Sequence, residues 1–322
     1  MDISIGCSLI AKNEETNIHR ALNSVLPVVS QIVVVDTGSE DTTPQICSRY
    51  GAEIHYFKWA DDFSEARNYA LSFMRTDWIL SIDADEELDI KSFSKNNNLL
   101  KINEVGGVKV KIKNILGDKT EFSQHSYTRI FRRDINIRFK GKIHEQIASS
   151  ILDCGFHTLE SDIIINHYGY SEINEEKISR NKKLLVEEIK ENPNDDWLIY
   201  HLAETEFAGG DLILAKVHFQ KILNSKNLSF EQIEMVWIRL GQIALKNNDF
   251  EFIKQLNNFK CRDESREGLR LFILLSYLLS LRKFEEAHKL YKNPLIQNSN
   301  LISHEIKTQT KTLFDNLTLD RF

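Results

Sequence analysis

Several features that mark special classes of protein are scarce in this chain of 322 residues. Its four cysteines are scattered without a CxxC pair, which argues against a disulfide framework and a structural zinc site. Four prolines and thirteen glycines are too few for a fibrous protein. The longest apolar stretch, 271–281, is shorter than the roughly 18 residues of a membrane span, and no signal peptide is recognisable. We therefore expect a soluble, cytoplasmic protein.

The charge of the chain is acidic overall but unevenly distributed. A net charge of −6 gives the whole chain no electrostatic reason to bind nucleic acid. Residues 109–145, however, contain ten Lys or Arg and four acidic residues. We expect this basic window to face a small anionic ligand through Arg129, Arg132 and Arg133, and a solvated basic face is the equal alternative.

The first 90 residues alternate between strand and helix patterns. Residues 31–36 (QIVVVD) are a continuous β-branched run, which is typical of a strand covered on both faces. Further strands are predicted at 3–10, 52–57 and 78–83, with helices between them. This alternation predicts a parallel, doubly wound α/β sheet, completed by short strands up to residue 170. We assign residues 1–170 to this domain.

After residue 170 the pattern is helical throughout. Ala215, Ile253 and Ala287 recur 38 and 34 residues apart, close to the tetratricopeptide period of about 34. We predict an all-α, tetratricopeptide-like domain over 171–322, with an ordinary helical bundle as the alternative. Stacked helix pairs form grooves that suit a protein partner, and we also consider dimerisation and coverage of the first domain.

Polar residues follow each predicted strand of the first domain, at the sheet edge where ligands bind in open parallel sheets. The sequence Asp83-Ala84-Asp85 after the fourth strand is a DxD motif, which can hold a divalent cation that in turn binds pyrophosphate oxygens. Asp36 after the second strand can accept hydrogen bonds from a base or a ribose, or else cap a turn. Arg67 can orient the DxD carboxylates or bind phosphate, or lie on the surface.

Four segments within residues 3–90 carry a resemblance to a known family: SLIAKNEE, QIVVVDTGSEDTT, WADDFSEARNYAL and WILSIDADEEL. In this order and spacing they resemble family 2 glycosyltransferases of the GT-A fold. The resemblance continues through HSYTRIFRRDINIRFKGKIHEQI and NHYGY into the helical part. The whole layout is similar to sublancin-type peptide S-glycosyltransferases and to lipopolysaccharide-core glucosyltransferases of bacteria.

This resemblance implies a metal-dependent, inverting transfer of a hexose, glucose or an N-acetylhexosamine, from a UDP-sugar. The implied acceptor is a peptide or glycan, such as a Cys or Ser of a bacteriocin peptide. Mn²⁺ or Mg²⁺ is implied at Asp83 and Asp85, with His144 or His167 as a third ligand. The residues implied in nucleotide-sugar binding are Glu14, Asp36, Asp62, Arg67, Asp83, Ala84 and Asp85.

Inversion at an anomeric carbon needs a base for the acceptor. Glu145 is the candidate for this catalytic role and His144 is its rival. Trp59 and Tyr170 are candidates for stacking on base or sugar, with core packing as the alternative for Trp59.

Two other functions remain open. A sugar-1-phosphate nucleotidyltransferase would carry a glycine-rich loop where this chain has AKNEE at 11–15. A non-catalytic tetratricopeptide scaffold with a nucleotide-sugar-binding domain is the other alternative.

Overall fold

The computed structural model describes residues 3–116, 121–168 and 175–319. The chain divides into two compact units, Met1–Glu172 and Ile173–Phe322. Apolar residues are buried within each unit. In the described ranges, no helix has the length and apolar character that crossing a membrane requires.

The first unit alternates strands and helices before it becomes mainly β. Its strands are β1 (Ile5–Ala11), β2 (Gln31–Asp36), β3 (Glu53–Tyr56), β4 (Trp78–Ser81), β5 (Glu86–Leu88), β6 (Val105–Leu116), β7 (Glu121–Arg132) and β8 (His157–His167). Its helices are α1 (Ile18–Val25), α2 (Thr43–Arg49), α3 (Phe63–Leu71), α4 (Ile90–Asn96) and α5 (Ala148–Asp153), with a 3-10 helix at Asn97–Lys101.

The strands form one mixed sheet in the order β3-β2-β1-β4-β7-β6-β8-β5. The four strands predicted from the alternating pattern pair in parallel, and every residue of β2 is buried, as its β-branched run predicts. The later strands add the antiparallel pairs β4–β7, β6–β7 and β5–β8 and the parallel pair β6–β8. The predicted α/β class is confirmed.

The DxD motif lies in the connection between β4 and β5. This connection comprises residues 82–85, yet β4 and β5 are separated in the sheet by β7, β6 and β8. The chain therefore crosses the end of the sheet at the DxD motif. It then joins the far edge, where Glu86 pairs with His167 in antiparallel register.

The described part of the second unit is helical, as predicted. Its helices are α6 (Glu175–Glu191), α7 (Asp196–Ala208), α8 (Leu212–Ile222), α9 (Phe230–Lys246), α10 (Phe250–Asn258), α11 (Glu264–Ser280), α12 (Phe284–Tyr291), α13 (Pro294–Asn298) and α14 (His304–Leu319). Helices α7 and α8, α9 and α10, and α11 and α12 pack as successive pairs.

The backbone repeats with the same spacing as the sequence pattern. The turn inside each helix pair contains a residue with positive φ, and these are Gly210 (80°), Asn248 (56°) and Arg282 (58°). Five residues after each turn residue lies a buried small or branched side chain, at Ala215, Ile253 and Ala287. The turns and the buried positions are therefore both 38 and 34 residues apart, which supports the predicted tetratricopeptide-like repeat.

Candidate active site

Arg67 connects two carboxylates that are distant in the sequence. It lies on the buried face of α3 and is 7% exposed. Its Nη2 donates to Asp83 Oδ1 at 2.7 Å, and its Nε donates to Glu145 Oε1. Its Nη1 donates to Ser81 Oγ at 3.3 Å. The guanidinium thus joins the DxD motif to the segment that contains Glu145.

A second arginine holds Asp83 from the other side. Arg129 Nη2 on β7 donates to Asp83 Oδ2 at 2.8 Å and to Glu86 Oε1 at 2.9 Å. Glu86 Oε2 in turn accepts the backbone N–H of Asp83 at 2.8 Å. Both Asp83 oxygens therefore accept from guanidiniums, so Arg67 and Arg129 together orient this carboxylate.

Burial and charge act in opposite directions on these carboxyls. Burial opposes ionisation of Asp83, but the guanidiniums of Arg129 and Arg67 outweigh burial and hold its pKa well below the usual range. Burial raises the pKa of Glu86 to about 7, while Arg129 opposes this shift and Asp83 reinforces it. Glu86 is a member of the site that sequence reasoning missed.

Asp85 and His167 form a second pair beside this cluster. Asp85 Oδ2 lies 3.1 Å from His167 Nε2, and His167 Nδ1 lies 2.8 Å from the amide oxygen of Asn114. Burial disfavours the charged imidazole, yet the hydrogen bond and charge of Asp85 raise the pKa of His167. Among the described residues, no group of three or more His, Cys, Asp or Glu side chains is arranged to hold a metal ion.

Glu145 is presented by a tight loop at residues 140–146. The backbones of Lys140 and Gln146 exchange two hydrogen bonds of 2.9 Å, which close the loop. Gly141 (φ 99°) and His144 (φ 52°) adopt left-handed backbone conformations within it. Burial lowers the pKa of His144 to about 4, against the opposing charge of Glu145.

Asp36 is the last residue of β2, and one of its two carboxylate oxygens has hydrogen-bond partners while the other has none. Its Oδ1 accepts the backbone N–H groups of Gly38 and Ser39, both at 2.9 Å. The φ of Gly38 is 111°, which favours glycine in this turn. Asp36 Oδ2 is buried without a hydrogen-bond partner. Because β1 lies between β2 and β4, Asp36 and the DxD motif are separated by about 10 Å across the sheet.

The remaining predicted residues have local structural contacts. Asp62 is the N-cap of α3, where its Oδ1 accepts from Glu65 N. Glu14 lies in the loop after β1 and accepts from the Asn17 side-chain amide at 3.0 Å. Trp59 Nε1 donates to Asp61 Oδ1 at 2.8 Å. Ala84 is buried between the two DxD carboxylates, and Tyr170 lies outside the described residues.

Several basic residues of the window are engaged away from the site. Lys109 and Lys111 on β6 form ion pairs with Glu160 and Asp162 on the neighbouring β8. Arg132 Nε donates to Val105 O at 2.7 Å. Arg132 pairs with Trp78 at the amino end of β4, whereas the DxD motif follows the carboxyl end of that strand.

Arg133 Nε likewise donates to the Thr76 carbonyl. The expectation that Arg132 and Arg133 face the anionic ligand was wrong, because the register of β7 on β4 brings Arg129 alone of the three arginines to the site.

The fold and the site define an α/β domain with a DxD motif at the carboxyl end of its parallel strands. Residues 8–154 match the model of the family described as "Glycosyl transferase family 2". Residues 8–154 are therefore similar to glycosyl transferase family 2, in the unit whose predicted α/β class the strand order confirms. The matched residues include Asp36, Arg67, both DxD carboxylates and Glu145.

Two curated proteins are similar to a larger part of the chain. A TPR repeat-containing protein of Synechococcus elongatus is 32% identical over 224 residues, which cover 66% of this chain and 54% of that protein. The SPbeta prophage-derived glycosyltransferase SunS of Bacillus subtilis is 29% identical over 262 residues, which cover 77% of this chain and 60% of SunS. The chain thus spans little more than half the length of these relatives.

Among solved structures, the chain is similar to S. aureus TarS 1-349 in complex with UDP-GlcNAc. The identity is 15%, the match covers 90% of this chain and 92% of that one, and the TM-score is 0.43.

Proposed function

We propose that this chain is a metal-dependent, inverting glycosyltransferase that moves a hexose from a UDP-sugar to a peptide or glycan acceptor. The observation that carries the proposal is the arrangement at the carboxyl end of β4. There Arg67 connects the DxD motif to Glu145 within the residues that are similar to family 2. Glycosyl transfer needs a site that holds the donor diphosphate and a base that activates the acceptor. The DxD motif would supply the first and Glu145 the second.

Asp36 is the proposed contact for the nucleoside. Its buried Oδ2 lacks a partner, and an unpaired buried acceptor is costly unless a ligand donates to it. The imide N–H of uracil and the hydroxyls of ribose are donors of this kind. Asp36 and the DxD motif are about 10 Å apart across the sheet. With the nucleoside at Asp36, the diphosphate of the donor would extend across this distance to Asp85 and His167.

The donor set fits a divalent cation at Asp85 and His167. With Nδ1–H donating to the Asn114 amide oxygen, His167 Nε2 presents its lone pair to Asp85 Oδ2. Two electron-pair donors at 3.1 Å need a proton or a cation between them, and a hydrogen bond from the second ring nitrogen is typical of metal-bound histidine. When bound, Mn²⁺ or Mg²⁺ would neutralise the charge of the departing diphosphate.

Glu145 is the proposed base for the acceptor. Arg67 fixes the direction of its carboxylate, and the closed loop 140–146 fixes its backbone. His144 is the weaker candidate, because an imidazole with a pKa of about 4 has little affinity for a proton near neutral pH.

The second unit is the proposed acceptor or partner surface. Its helix pairs repeat at tetratricopeptide spacing, and the Synechococcus relative carries that repeat in its name. We propose that residues 171–322 recruit the acceptor or form a homodimer, and that residues 1–170 form the catalytic domain.

The test is hydrolysis of a panel of UDP- and GDP-sugars in the presence of Mn²⁺, since slow transfer to water requires no known acceptor. We expect turnover of a UDP-hexose that EDTA abolishes. Glu145→Gln should lose turnover and keep UDP-sugar binding by calorimetry, whereas the matched control Glu160→Gln, which changes an exposed side chain on β8, should keep both.

Four results would contradict the proposal or a part of it. Full turnover in EDTA would refute the metal, and loss of donor binding in Glu145→Gln would reassign that residue. Pyrophosphate release from UTP and a sugar 1-phosphate would indicate a nucleotidyltransferase, and the absence of any nucleotide-sugar binding would indicate a scaffold.

A further inference from the structure

A side-chain amide on α3 attaches the segment that leads to Glu145. Asn68 Nδ2 donates to the carbonyl oxygen of Phe139 at 2.9 Å, and the backbone N–H of Phe139 donates to Asn68 Oδ1 at 2.9 Å. The two residues are 71 positions apart in sequence. The amide thus pairs with Phe139 as a neighbouring strand would.

Two further contacts attach the same loop to the same helix. The backbone N–H of Phe63, at the start of α3, donates to Lys142 O at 2.8 Å. Arg67, directly before Asn68, binds the Glu145 carboxylate. Arg67 therefore orients the side chain of Glu145, while Asn68 and Phe63 hold the backbone that carries it.

The pairing with Phe139 requires a carboxamide, which both donates and accepts in one plane. Leucine at position 68 would keep a similar shape and lose both hydrogen bonds. The N–H and C=O of Phe139 would then lack the partners that Asn68 supplies. The loop 140–146 would keep its own closure between Lys140 and Gln146, but its distance from α3 would no longer be fixed at this end.

We propose that Asn68 is a positioning residue for Glu145, an inference that rests on the proposed function because Glu145 is the base only there. Asn68 acts through the backbone at Phe139 and leaves the donor site to other residues. A displacement of about 1 Å in a reacting group can cost on the order of 100-fold in rate. We therefore expect Asn68→Leu to lower kcat by about 10- to 100-fold and to change the donor KM by less than about twofold.

Gln31 provides a matched control. Its Nε2 donates to Phe73 O at 2.9 Å, and the backbone N–H of Arg75 donates to its Oε1 at 2.9 Å. This is the same kind of amide-to-backbone pairing, but Gln31 is the first residue of β2 and lies at the amino end of the parallel strands, whereas the site lies at their carboxyl end. Gln31→Leu should lower stability about as much as Asn68→Leu and leave kcat unchanged.

The experiment measures kcat and KM for hydrolysis of UDP-glucose and UDP-N-acetylglucosamine with Mn²⁺, together with amide hydrogen exchange of residues 139–146. We expect Asn68→Leu, and not Gln31→Leu, to accelerate exchange in this segment and to lose turnover. In the double variant with Glu145→Gln, the Asn68 substitution should cause no further loss, because its effect passes through Glu145.

Unchanged exchange in Asn68→Leu, a loss of kcat no larger than in Gln31→Leu, or an equal further loss in the double variant would each overturn the inference. Failure of the proposed function would give different results: the wild-type chain would show no turnover, or Glu145→Gln would be fully active. In that case exchange at 139–146 still decides by itself whether Asn68 holds the loop.

Discussion

Replacing Arg67 by methionine would separate the DxD motif from Glu145. The change removes the guanidinium that both Asp83 and Glu145 contact while keeping an unbranched apolar chain on the buried face of α3. Asp83 retains Arg129, but Glu145 loses the ion pair that orients it. The variant therefore leaves one largely buried carboxylate, 11% exposed, without its guanidinium.

The cost follows from that burial. Removing one partner of a buried ion pair costs about 3–5 kcal/mol, and the lower end applies here because Asp83 keeps a second arginine. We expect the free energy of unfolding of the first unit to fall by about 3 kcal/mol. With a urea dependence of about 2 kcal/mol per molar, the midpoint should move down by about 1.5 M.

The assay is urea unfolding followed by tryptophan fluorescence in a background carrying Trp197→Phe and Trp237→Phe, so that Trp59 and Trp78 report on the first unit. The control is Arg75→Met, which breaks the surface pair with Glu53. Arg75 is 68% exposed, so its loss should cost less than about 1 kcal/mol.

Adding Glu145→Gln to Arg67→Met should recover part of the stability, because the unpaired charge is then removed. If the urea midpoint of Arg67→Met equalled that of Arg75→Met, the reasoning would be refuted.

Three further predictions concern pH, packing and the cation. Burial lowers the pKa of His144 from 6.5 to about 4, so between these pH values the unfolded chain binds a proton that the folded chain does not. The free energy of unfolding should therefore fall as the pH drops from 6.5 to 4, and in urea titrations His144→Gln should reduce the fall at pH 5 by about 2 kcal/mol. Gly268→Ala should lower the melting temperature of the second unit despite alanine's better helix propensity, because its Cβ would lie 2.1 Å from the Leu295 carbonyl oxygen; an unchanged or raised melting temperature would contradict this. Asp85→Asn should weaken Mn²⁺ binding by calorimetry at least tenfold, whereas Asp162→Asn on β8 should not, and equal affinities would exclude Asp85 as a ligand.

The sequence predicted those features that depend on local pattern. A continuous β-branched run predicts a strand buried on both faces, so β2 and the place of Asp36 at its end followed directly. The recurrence of buried small or branched residues at Ala215, Ile253 and Ala287, 38 and 34 residues apart, likewise predicted the helix pairs of the second unit.

Features that depend on strand register were missed or mistaken. Glu86 belongs to the site because β5 pairs with β8, and an acidic residue in an acid-rich turn carries no sign of that pairing. Lys109 and Lys111 of the basic window form ion pairs across β6 and β8 with Glu160 and Asp162, each 51 positions later in the sequence, which a linear count of charge does not reveal. Asn68 was missed for the same reason, since its partner is a backbone group 71 residues away.

The crossing of the DxD segment over the end of the sheet determines when the site forms during synthesis. Asp85 meets His167 only after the chain has grown by 82 residues, and β5 has no strand to pair with before β8 exists. At translation rates of about 5–20 residues per second, the acidic segment waits about 4–16 s for its partners on the ribosome. A nascent chain released before β8 would carry the parallel half of the sheet, with Asp36 in place, and an unanchored DxD motif.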